Sequence, residues 1–213
     1  ICAILVTHEH SDHIKGAGIF SRKYNVPIYA KAKTWQAMRR ELGKLSENNI
    51  KIINDNIFTL GDFTVCSYSI PHDAADPVAY TFSACDKKIS VATDIGCVTE
   101  EIYKNVIGSD IALIESNHDM AMLNNGKYPY HLKQRILSNH GHLSNDNAAV
   151  LATHLARKGT KHIYLGHLSH ENNAPEIAFE ATRNALTKCG FVVDKDIHVC
   201  VASREHFSEV TQI

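Results

Sequence analysis

In the run Thr-His-Glu-His-Ser-Asp-His at positions 7–13, His8, His10, Asp12 and His13 place three imidazoles and a carboxylate within six positions, directly after an apolar segment. An apolar strand that ends in a loop suits metal binding, because the strand fixes the root of the loop and the loop turns side chains inward. His8 and His10 are two residues apart, so they can point the same way and bind one ion. Asp12 and His13 fall on a different side and can bind a second ion. Mixed nitrogen and oxygen ligands indicate zinc or manganese rather than a structural thiolate site.

Three later residues of ligand type each follow an apolar stretch that predicts a strand. They are His72, Asp94 and His167. One such residue at a strand end is more often a satisfied polar group than a ligand. Together with the first motif, however, they bring the set to five histidines and two aspartates. That set serves a dinuclear centre if one carboxylate bridges the ions and open positions remain for water and substrate.

Hydrophobic periodicity predicts the elements that must position these residues. Hairpin-type strands precede a region, from residue 99 onwards, in which helices alternate with strands. This order indicates an α/β fold with two sheets covered by helices. The predicted strands are 28–30, 51–53, 57–60, 63–70, 80–83, 88–92, 111–115, 162–165 and 198–202. The predicted helices are 14–25, 34–42 with Thr34 as its cap, 99–107, a helix containing Lys133 and Arg135, 144–157 and 175–189.

The composition indicates a globular chain with one domain over residues 1–213. A net charge of −1 gives no broad electrostatic surface for DNA, although a few local cations could still bind nucleic acid. Six cysteines without a CxxC pair predict reduced thiols and a cytoplasmic protein. No segment has the length of a membrane span or the form of a signal peptide, so we expect no membrane partner. The chain begins without Met inside an apolar strand that needs sheet neighbours, and we expect that it lacks an N-terminal portion.

The order and spacing of the motifs resemble the metallo-β-lactamase superfamily, whose mark is HxHxDH followed by His, Asp and His on later strand ends. The resemblance covers nearly the whole chain. It implies a four-layer αβ/βα sandwich with two divalent ions, Zn²⁺ or Mn²⁺, at the sheet edges, and with its first strands lying before Ile1. It also implies two ligand sets that share a bridging carboxylate. The first ion would be held by His8, His10, His72 and Asp94, and the second by Asp12, His13, His167 and Asp94.

A second motif, Gly-His-Leu-Ser-Asn at positions 141–145, narrows the chemistry. Ser144 is a plausible helix cap, which places His142 at a positively polarised helix N-terminus. The segment resembles the one that ribonuclease Z-like phosphodiesterases carry before their last metal ligand. In that role His142 would donate a proton to the leaving oxygen or stabilise phosphate charge. A histidine in an ordinary capping loop is the alternative.

Four further segments resemble the YycJ/WalJ (VicX) branch, for some members of which 5′-to-3′ exonuclease activity on DNA is implied. They lie at 71–77, 115–119, 126–130 and 167–173. The implied mechanism is hydrolysis of a nucleic-acid phosphodiester by a hydroxide that bridges the two ions, with Asp12 orienting it and accepting its proton. Phosphate oxygens or the leaving sugar would be bound by Asn117, His118, Ser169 and Asn173, for which loop capping is an equal alternative.

Several other residues have two interpretations each. Glu115 ends a strand beside the site and is either an outer contact of a ligand histidine or a structural carboxylate. Lys127, Lys133 and Arg135 form a modest cationic feature that is either a nucleic-acid contact or a solvated face. Trp35 is interpreted as a core residue rather than a platform for base stacking.

Two other functions compete with the nuclease interpretation. A small-ester or thioester hydrolase of glyoxalase II type would share the fold, although thioester hydrolysis needs no histidine acid. A metal-binding regulatory protein with a vestigial site is disfavoured because all seven ligands are present. The sequence leaves open the metal, DNA against RNA, exonuclease against endonuclease action, and the oligomeric state.

Overall fold

The computed structural model describes residues 1–208 and 210–212. Its strands are β1 (Ile4–Leu5), β2 (Ile28–Ala30), β3 (Ile50–Ile52), β4 (Ile57–Leu60), β5 (Phe63–Ser69), β6 (Val78–Ala84), β7 (Lys87–Ala92), β8 (Ile111–Glu115), β9 (His162–Gly166) and β10 (His198–Val201). The first three form a parallel sheet in the order β1-β2-β3. The other seven form a sheet in the order β10-β9-β8-β7-β6-β5-β4. Neighbours in this larger sheet are antiparallel from β4 to β7 and parallel from β7 to β10.

Eight α-helices connect these strands in the described part of the chain, together with a short 3-10 helix at Glu47–Asn49. They are α1 (Ser11–Ile14), α2 (Ala17–Tyr24), α3 (Ala32–Met38), α4 (Glu100–Val106), α5 (Met120–Asn125), α6 (Tyr130–Leu137), α7 (Asn145–Arg157) and α8 (Pro175–Lys188). Among the described residues, none of these helices has both the length and the apolar character needed to span a membrane.

Three clusters of buried side chains separate four layers. One cluster lies between the three-stranded sheet and helices α1 to α3, a second between the two sheets, and a third between the larger sheet and helices α4, α7 and α8. Strand β2 contributes to two of these clusters, because successive residues of a strand face opposite sides of the sheet. Ile28 and Ala30 belong to the helix-side cluster, whereas Tyr29 faces the other sheet and stacks on Phe58 with ring centroids 5.9 Å apart. The expected αβ/βα sandwich is confirmed.

The predicted strands at 28–30, 57–60 and 111–115 have the bounds of β2, β4 and β8. The predicted helix 14–25 is wrong as one element, because α1 and α2 are separated by a break at Gly16. The prediction that Thr34 caps a helix is also wrong. Thr34 lies inside α3, where its buried hydroxyl donates to the carbonyl oxygen of Asp76 at 3.2 Å.

The carboxyl ends of the parallel strands β7, β8 and β9 meet at one edge of the larger sheet. Asp94 lies two residues after β7, Glu115 is the last residue of β8, and His167 directly follows β9. The loop at 7–13 reaches the same region because the amide of Val78 in β6 donates to the carbonyl oxygen of Thr7 at 3.0 Å. Loops at such strand ends are the usual location of ligand sites in α/β sheets.

Candidate metal centre

All seven residues predicted as ligands lie together at this edge. Six of them form two groups, His8 with His10 and His72, and Asp12 with His13 and His167. Within each group the donor atoms lie within 4.8 Å of one another. In the first group, Nε2 of His72 lies 3.3 Å from Nδ1 of His10. In the second group, Oδ2 of Asp12 lies 3.6 Å from Nε2 of His13 and 3.7 Å from Nε2 of His167. Donor atoms this close together could bind one metal ion in common.

Asp94 lies where the two groups meet. Its Oδ2 is 3.2 Å from Nε2 of His13, and its Oδ1 is 3.5 Å from Nε2 of His167 and 3.8 Å from Nε2 of His72. Asp94 has a φ of 58° and His167 has a φ of 57°, a left-handed conformation that is uncommon outside glycine. Strain of this kind is retained at functional sites because it directs a particular side chain.

Three of the imidazoles, those of His8, His13 and His72, are held from outside the centre by bonds to their Nδ1 atoms. The hydroxyl oxygen of Thr7 lies 3.0 Å from Nδ1 of His8 and 3.1 Å from Nδ1 of His13, and it can accept from both. Nδ1 of His72 donates to the carbonyl oxygen of Gly141 at 3.2 Å. An Nδ1–H bond fixes the tautomer that leaves the Nε2 lone pair for a metal. The sequence interpretation missed the contact of Thr7 with two candidate ligands, although its position directly before the motif was a usable signal.

Glu115 is fully buried and accepts four hydrogen bonds. Oε1 accepts from Nδ1 of His167 at 2.7 Å and from Nδ1 of His142 at 2.8 Å. Oε2 accepts from the backbone amides of Ile95 at 2.8 Å and Leu143 at 3.0 Å. Burial raises the pKa of Glu115, but the bonds from the two imidazoles outweigh it and lower the pKa overall. Glu115 therefore is an ionised carboxylate that supports both histidines.

The charges at the centre fit a divalent cation. Burial, together with the nearby His13, lowers the pKa of His8 to about 3, so this imidazole is neutral. Its buried Nε2 has no hydrogen-bond partner among residues 1–208 and 210–212, which is costly unless the lone pair binds something. Burial lowers the pKa of His167, but the carboxylates of Asp12 and Glu115 outweigh it and raise that pKa to about 10. The carboxylates around His167 thus favour a positive charge at this position, which a divalent cation would supply.

His142 lies between the two groups of donors. Its ring centroid is 5.2 Å from that of His72 and 5.3 Å from that of His167. Helix α7 begins two residues beyond Leu143, and Ser144 is its cap, accepting a hydrogen bond from the amide of Asn147 at 3.3 Å. The predicted cap is confirmed. Because Nδ1 of His142 is bound to Glu115, Nε2 is the atom left for chemistry.

Residues 1–168 match the family described as "Beta-lactamase superfamily domain". The chain is 41% identical over 200 residues to the exodeoxyribonuclease YycJ of Bacillus anthracis, covering 93% of this chain and 76% of that protein. It is 42% identical over 214 residues to the exodeoxyribonuclease WalJ of Streptococcus pneumoniae serotype 2, covering 99% of this chain and 80% of that protein. The chain belongs to the YycJ/WalJ branch of the metallo-β-lactamase superfamily. The predicted resemblance is confirmed.

A solved structure has the same fold as this chain. The metallo-β-lactamase fold protein YhfI from Bacillus subtilis superposes with a TM-score of 0.70, covering 98% of this chain and 78% of that protein. At 16% identity the likeness shows the shared fold alone. The superfamily is one of metal-dependent hydrolases, and the donor groups described above fit the use of divalent metal.

Three of the four residues predicted to contact substrate are buried, namely Asn117, His118 and Asn173. Asn117 donates from Nδ2 to the carbonyl oxygen of His167 at 2.8 Å. Asn173 donates from Nδ2 to the carbonyl oxygens of Ser116 at 2.9 Å and Asn117 at 3.0 Å. Both amides therefore hold the loop of a candidate ligand instead of facing solvent. This differs from the expected substrate contact, because residue type alone cannot show where an amide bonds.

His118 and Ser169 differ in how far solvent reaches them. His118 is 1% exposed, and neither of its ring nitrogens has a hydrogen-bond partner within the described residues. Ser169 is half-buried, and its hydroxyl accepts from the amide of Asn172 at 3.2 Å. Of the four residues, only Ser169 has a side chain that solvent reaches appreciably.

Two of the three side chains of the predicted cationic feature, Lys133 and Arg135, bind other groups of the chain. Arg135 donates to both carboxylate oxygens of Asp73, at 2.5 Å and 3.0 Å, and Lys133 donates to the carbonyl oxygen of Asn124 at 2.7 Å. Trp35 is 6% exposed and donates from Nε1 to the carbonyl oxygen of Lys51, as expected of a core residue.

Two glycines allow backbone segments near the centre to pack closely, one against a loop and the other against α6. A Cβ at Gly96 would lie 2.3 Å from the carbonyl carbon of Asn139, and a Cβ at Gly141 would lie 2.2 Å from the carbonyl oxygen of Arg135. Real Cβ atoms do not approach so closely. The loop that follows Asp94 therefore packs directly on the backbone that leads to His142, which the sequence interpretation did not foresee.

Proposed function

We propose that this chain is a dinuclear metal-dependent phosphodiesterase that removes nucleotides from the 5′ end of DNA. The proposal follows the relatives of the branch, which are named exodeoxyribonucleases. The observation that carries it is the convergence of seven nitrogen and oxygen donors into two groups that meet at Asp94. Metal ions held by these donors would supply the positive charge that phosphodiester hydrolysis needs near the scissile bond.

Two divalent ions, Zn²⁺ or Mn²⁺, are the proposed cofactor. One would be held by His8, His10, His72 and Asp94, and the other by Asp12, His13, His167 and Asp94. Imidazole suits zinc and carboxylate suits manganese, so this mixture supports either metal. When bound, the ions would stabilise charge on the phosphoryl oxygens and lower the pKa of a coordinated water.

Asp12 is the proposed base. Its side chain is 65% exposed, while its carboxylate lies within 3.7 Å of the Nε2 atoms of His13 and His167. The contact with His167 lowers the pKa of Asp12 well below its usual range, so the carboxylate is ionised near neutral pH. It would orient the attacking water and accept its proton.

His142 is the proposed acid. The bond of its Nδ1 to Glu115 fixes the ring, and the buried carboxylate would stabilise the imidazolium form. Nε2 would then donate a proton to the oxygen of the leaving sugar. This role is supported by the position of His142 between the rings of His72 and His167.

The proposed substrate contacts are fewer than the sequence suggested. Ser169 remains a candidate for hydrogen bonding to DNA because it is partly exposed and lies two residues after His167. Asn117 and Asn173 would act on the substrate only indirectly, by holding the loop between β9 and α8.

We also propose a cytoplasmic location. Five of the cysteines are free thiols, as a reducing compartment would leave them. They are Cys2, Cys66, Cys85, Cys97 and Cys189.

The test is hydrolysis of bis(p-nitrophenyl) phosphate and of DNA and RNA labelled at the 5′ or the 3′ end, with Mn²⁺ or Zn²⁺. An Asp12→Ala variant is compared with Asp62→Ala, which removes an exposed carboxylate from the turn between β4 and β5. We expect metal-dependent cleavage that Asp62→Ala retains and Asp12→Ala loses. The 5′ label should leave first, as mononucleotides.

Three outcomes would contradict parts of this proposal. Internal fragments would indicate an endonuclease, and preference for RNA would change the substrate. Absence of phosphodiester cleavage in protein that binds two metals, together with thioester cleavage, would replace the function with that of a glyoxalase II-like hydrolase.

A further inference from the structure

A cleft of about 460 Å³ opens beside the second group of donors, and the proposed mechanism leaves it unused. It is lined by Asp12, His13 and His167 and by the segment that follows β10. The volume lies within the range of small-molecule sites, so the cleft can hold a group of nucleotide size but not a duplex. Its lining consists of Asp12, His13, Leu113, Gly166, His167, Leu168, Ala202, Ser203 and Arg204.

The topology explains why the segment after β10 reaches the centre. Strand β10 is parallel to β9, so their carboxyl ends lie at the same edge of the sheet. The amide of Ala202 donates to the carbonyl oxygen of Leu165 at 2.8 Å, which continues the pairing beyond the strand. His167 leaves β9 at this edge and Arg204 leaves β10 beside it. Strand β10, at the end of the sheet, is thus the fourth strand whose following residues lie at the edge of Asp94 and Glu115.

Arg204 brings a fixed positive charge to this cleft. Apart from histidine, it is the cationic side chain among the residues that line the cleft. Its Nη2 donates to the carbonyl oxygen of Leu168, which directly follows His167. The residue is exposed, and it forms no salt bridge with a carboxylate within residues 1–208 and 210–212. A guanidinium has five N–H donors, so one bond to a carbonyl leaves a donor edge free.

The loop that carries Arg204 is held in place by its neighbour. The hydroxyl of Ser203 accepts hydrogen bonds from the backbone amides of Glu205 at 3.2 Å and His206 at 3.1 Å. This turn and the pairing of Ala202 limit the positions that the Arg204 side chain can reach. Preorganisation of this kind favours recognition of a planar anionic group.

We propose that Arg204 binds a phosphate of the DNA strand next to the scissile one, with the terminal nucleotide seated in this cleft. The inference rests on the proposed nuclease function, and it adds a second phosphate site to the one at the metal centre. A guanidinium binds phosphate through two parallel N–H bonds, which gives orientation as well as affinity. Ionised Asp12 and Asp94 would repel DNA unless cations at the mouth of the site compensate for them.

The variant Arg204→Gln tests the proposal, because its amide can still donate to the carbonyl oxygen of Leu168 but carries no charge. Arg204→Lys keeps the charge without the paired donors. Arg183→Gln is the matched control, since it removes an exposed arginine paired with Glu180 on α8, which does not line the cleft. Substrates are bis(p-nitrophenyl) phosphate and single-stranded oligonucleotides with either a 5′-phosphate or a 5′-hydroxyl group.

For Arg204→Gln we expect KM for oligonucleotides to rise about 10-fold, as for a lost charged contact, with bound metal and hydrolysis of bis(p-nitrophenyl) phosphate unchanged. The slope of log KM against log salt should fall by about 1, whereas Arg204→Lys should keep the wild-type slope. A loss confined to the 5′-phosphorylated oligonucleotide identifies the terminal phosphate as the ligand. An equal loss on both oligonucleotides identifies an internal phosphate.

Unchanged oligonucleotide kinetics in Arg204→Gln would overturn the inference while leaving the nuclease function intact. Reduced turnover of bis(p-nitrophenyl) phosphate or reduced metal content would also overturn it, because Arg204 would then only position the loop of His167. Wild-type protein that cleaves no oligonucleotide would instead contradict the proposed function itself. The two failures are therefore distinguishable.

Discussion

Oε1 of Glu115 lies 2.7 Å from Nδ1 of His167, and this hydrogen bond joins the ends of two neighbouring parallel strands. The same oxygen accepts from His142, so one buried carboxylate fixes the tautomers of a candidate ligand and of the proposed acid. The sequence left Glu115 as either an outer contact of a ligand or a structural carboxylate. It fulfils both descriptions, because its other oxygen accepts the amides of Ile95 and Leu143.

Glu115→Gln should weaken metal binding about 10- to 100-fold. The amides of Ile95 and Leu143 can only donate, so the single amide oxygen of glutamine must face them. Its NH₂ group then faces the imidazoles of His142 and His167, which must accept at Nδ1 and carry their protons on Nε2. A protonated Nε2 cannot bind a metal. Competition with a chromophoric chelator measures the affinity.

The control for this prediction is Glu101→Gln, on the exposed surface of α4. It should leave metal affinity unchanged. If Glu115→Gln binds metal as tightly as the wild type, Glu115 does not set the tautomer of His167.

Asp94→Ala should reduce bound metal from two equivalents to one or none and abolish turnover. Its two oxygens lie within 3.8 Å of Nε2 atoms in both donor groups, so its removal takes a ligand from each ion. Elemental analysis after gel filtration measures the stoichiometry, with Asp62→Ala as the control. Two tightly retained ions would contradict the bridging role.

The convergence of the seven candidate ligands was predictable, because all of them lie in segments that follow apolar strands. The backbone conformation that sets the geometry of these candidate ligands was not predictable. The left-handed backbone at Asp94 and His167 could not be predicted from residue type, since Asp and His adopt it more often than most residues but still in only a minority of positions. Thr34 was misinterpreted for a related reason, because its partner Asp76 is 42 residues away along the chain.

The substrate contacts were the weakest part of the sequence interpretation. Asn117 and Asn173 lie in loops near the candidate metal centre, but their side-chain amides donate hydrogen bonds to backbone carbonyl oxygens. Arg204 was overlooked because it follows a strand that carries no ligand motif. Only the parallel pairing of β10 with β9 brings it to the centre. Residue type predicts chemistry, but sheet order determines which polar groups face the substrate.

His142→Ala should slow DNA cleavage about 10²- to 10⁴-fold, because the sugar oxygen leaves without a proton donor. Hydrolysis of bis(p-nitrophenyl) phosphate should slow far less, since nitrophenolate is a good leaving group that needs no protonation. Metal content should be unchanged. Steady-state kinetics with both substrates give the ratio that identifies an acid.

His140→Ala is the matched control, because His140 is exposed and lies two residues before His142. It should leave both rates unaffected. Equal slowing of both substrates by His142→Ala would contradict the role as acid, and loss of metal would show that His142 is itself a ligand.

Gly96→Ala should destabilise the fold by about 1–3 kcal/mol, as overpacking does. The new Cβ would lie 2.3 Å from the backbone of Asn139 and 2.6 Å from the amide nitrogen of His140, and neither can move without shifting the segment that leads to His142. Urea unfolding measures the free energy, and DNA cleavage should fall in parallel. Gly16→Ala is the control because a Cβ there meets nothing within 4 Å and its φ is −95°, so it should change the free energy of unfolding by less than about 0.5 kcal/mol. An equally small change for Gly96→Ala would mean that the loops after Asp94 and before His142 can separate without cost.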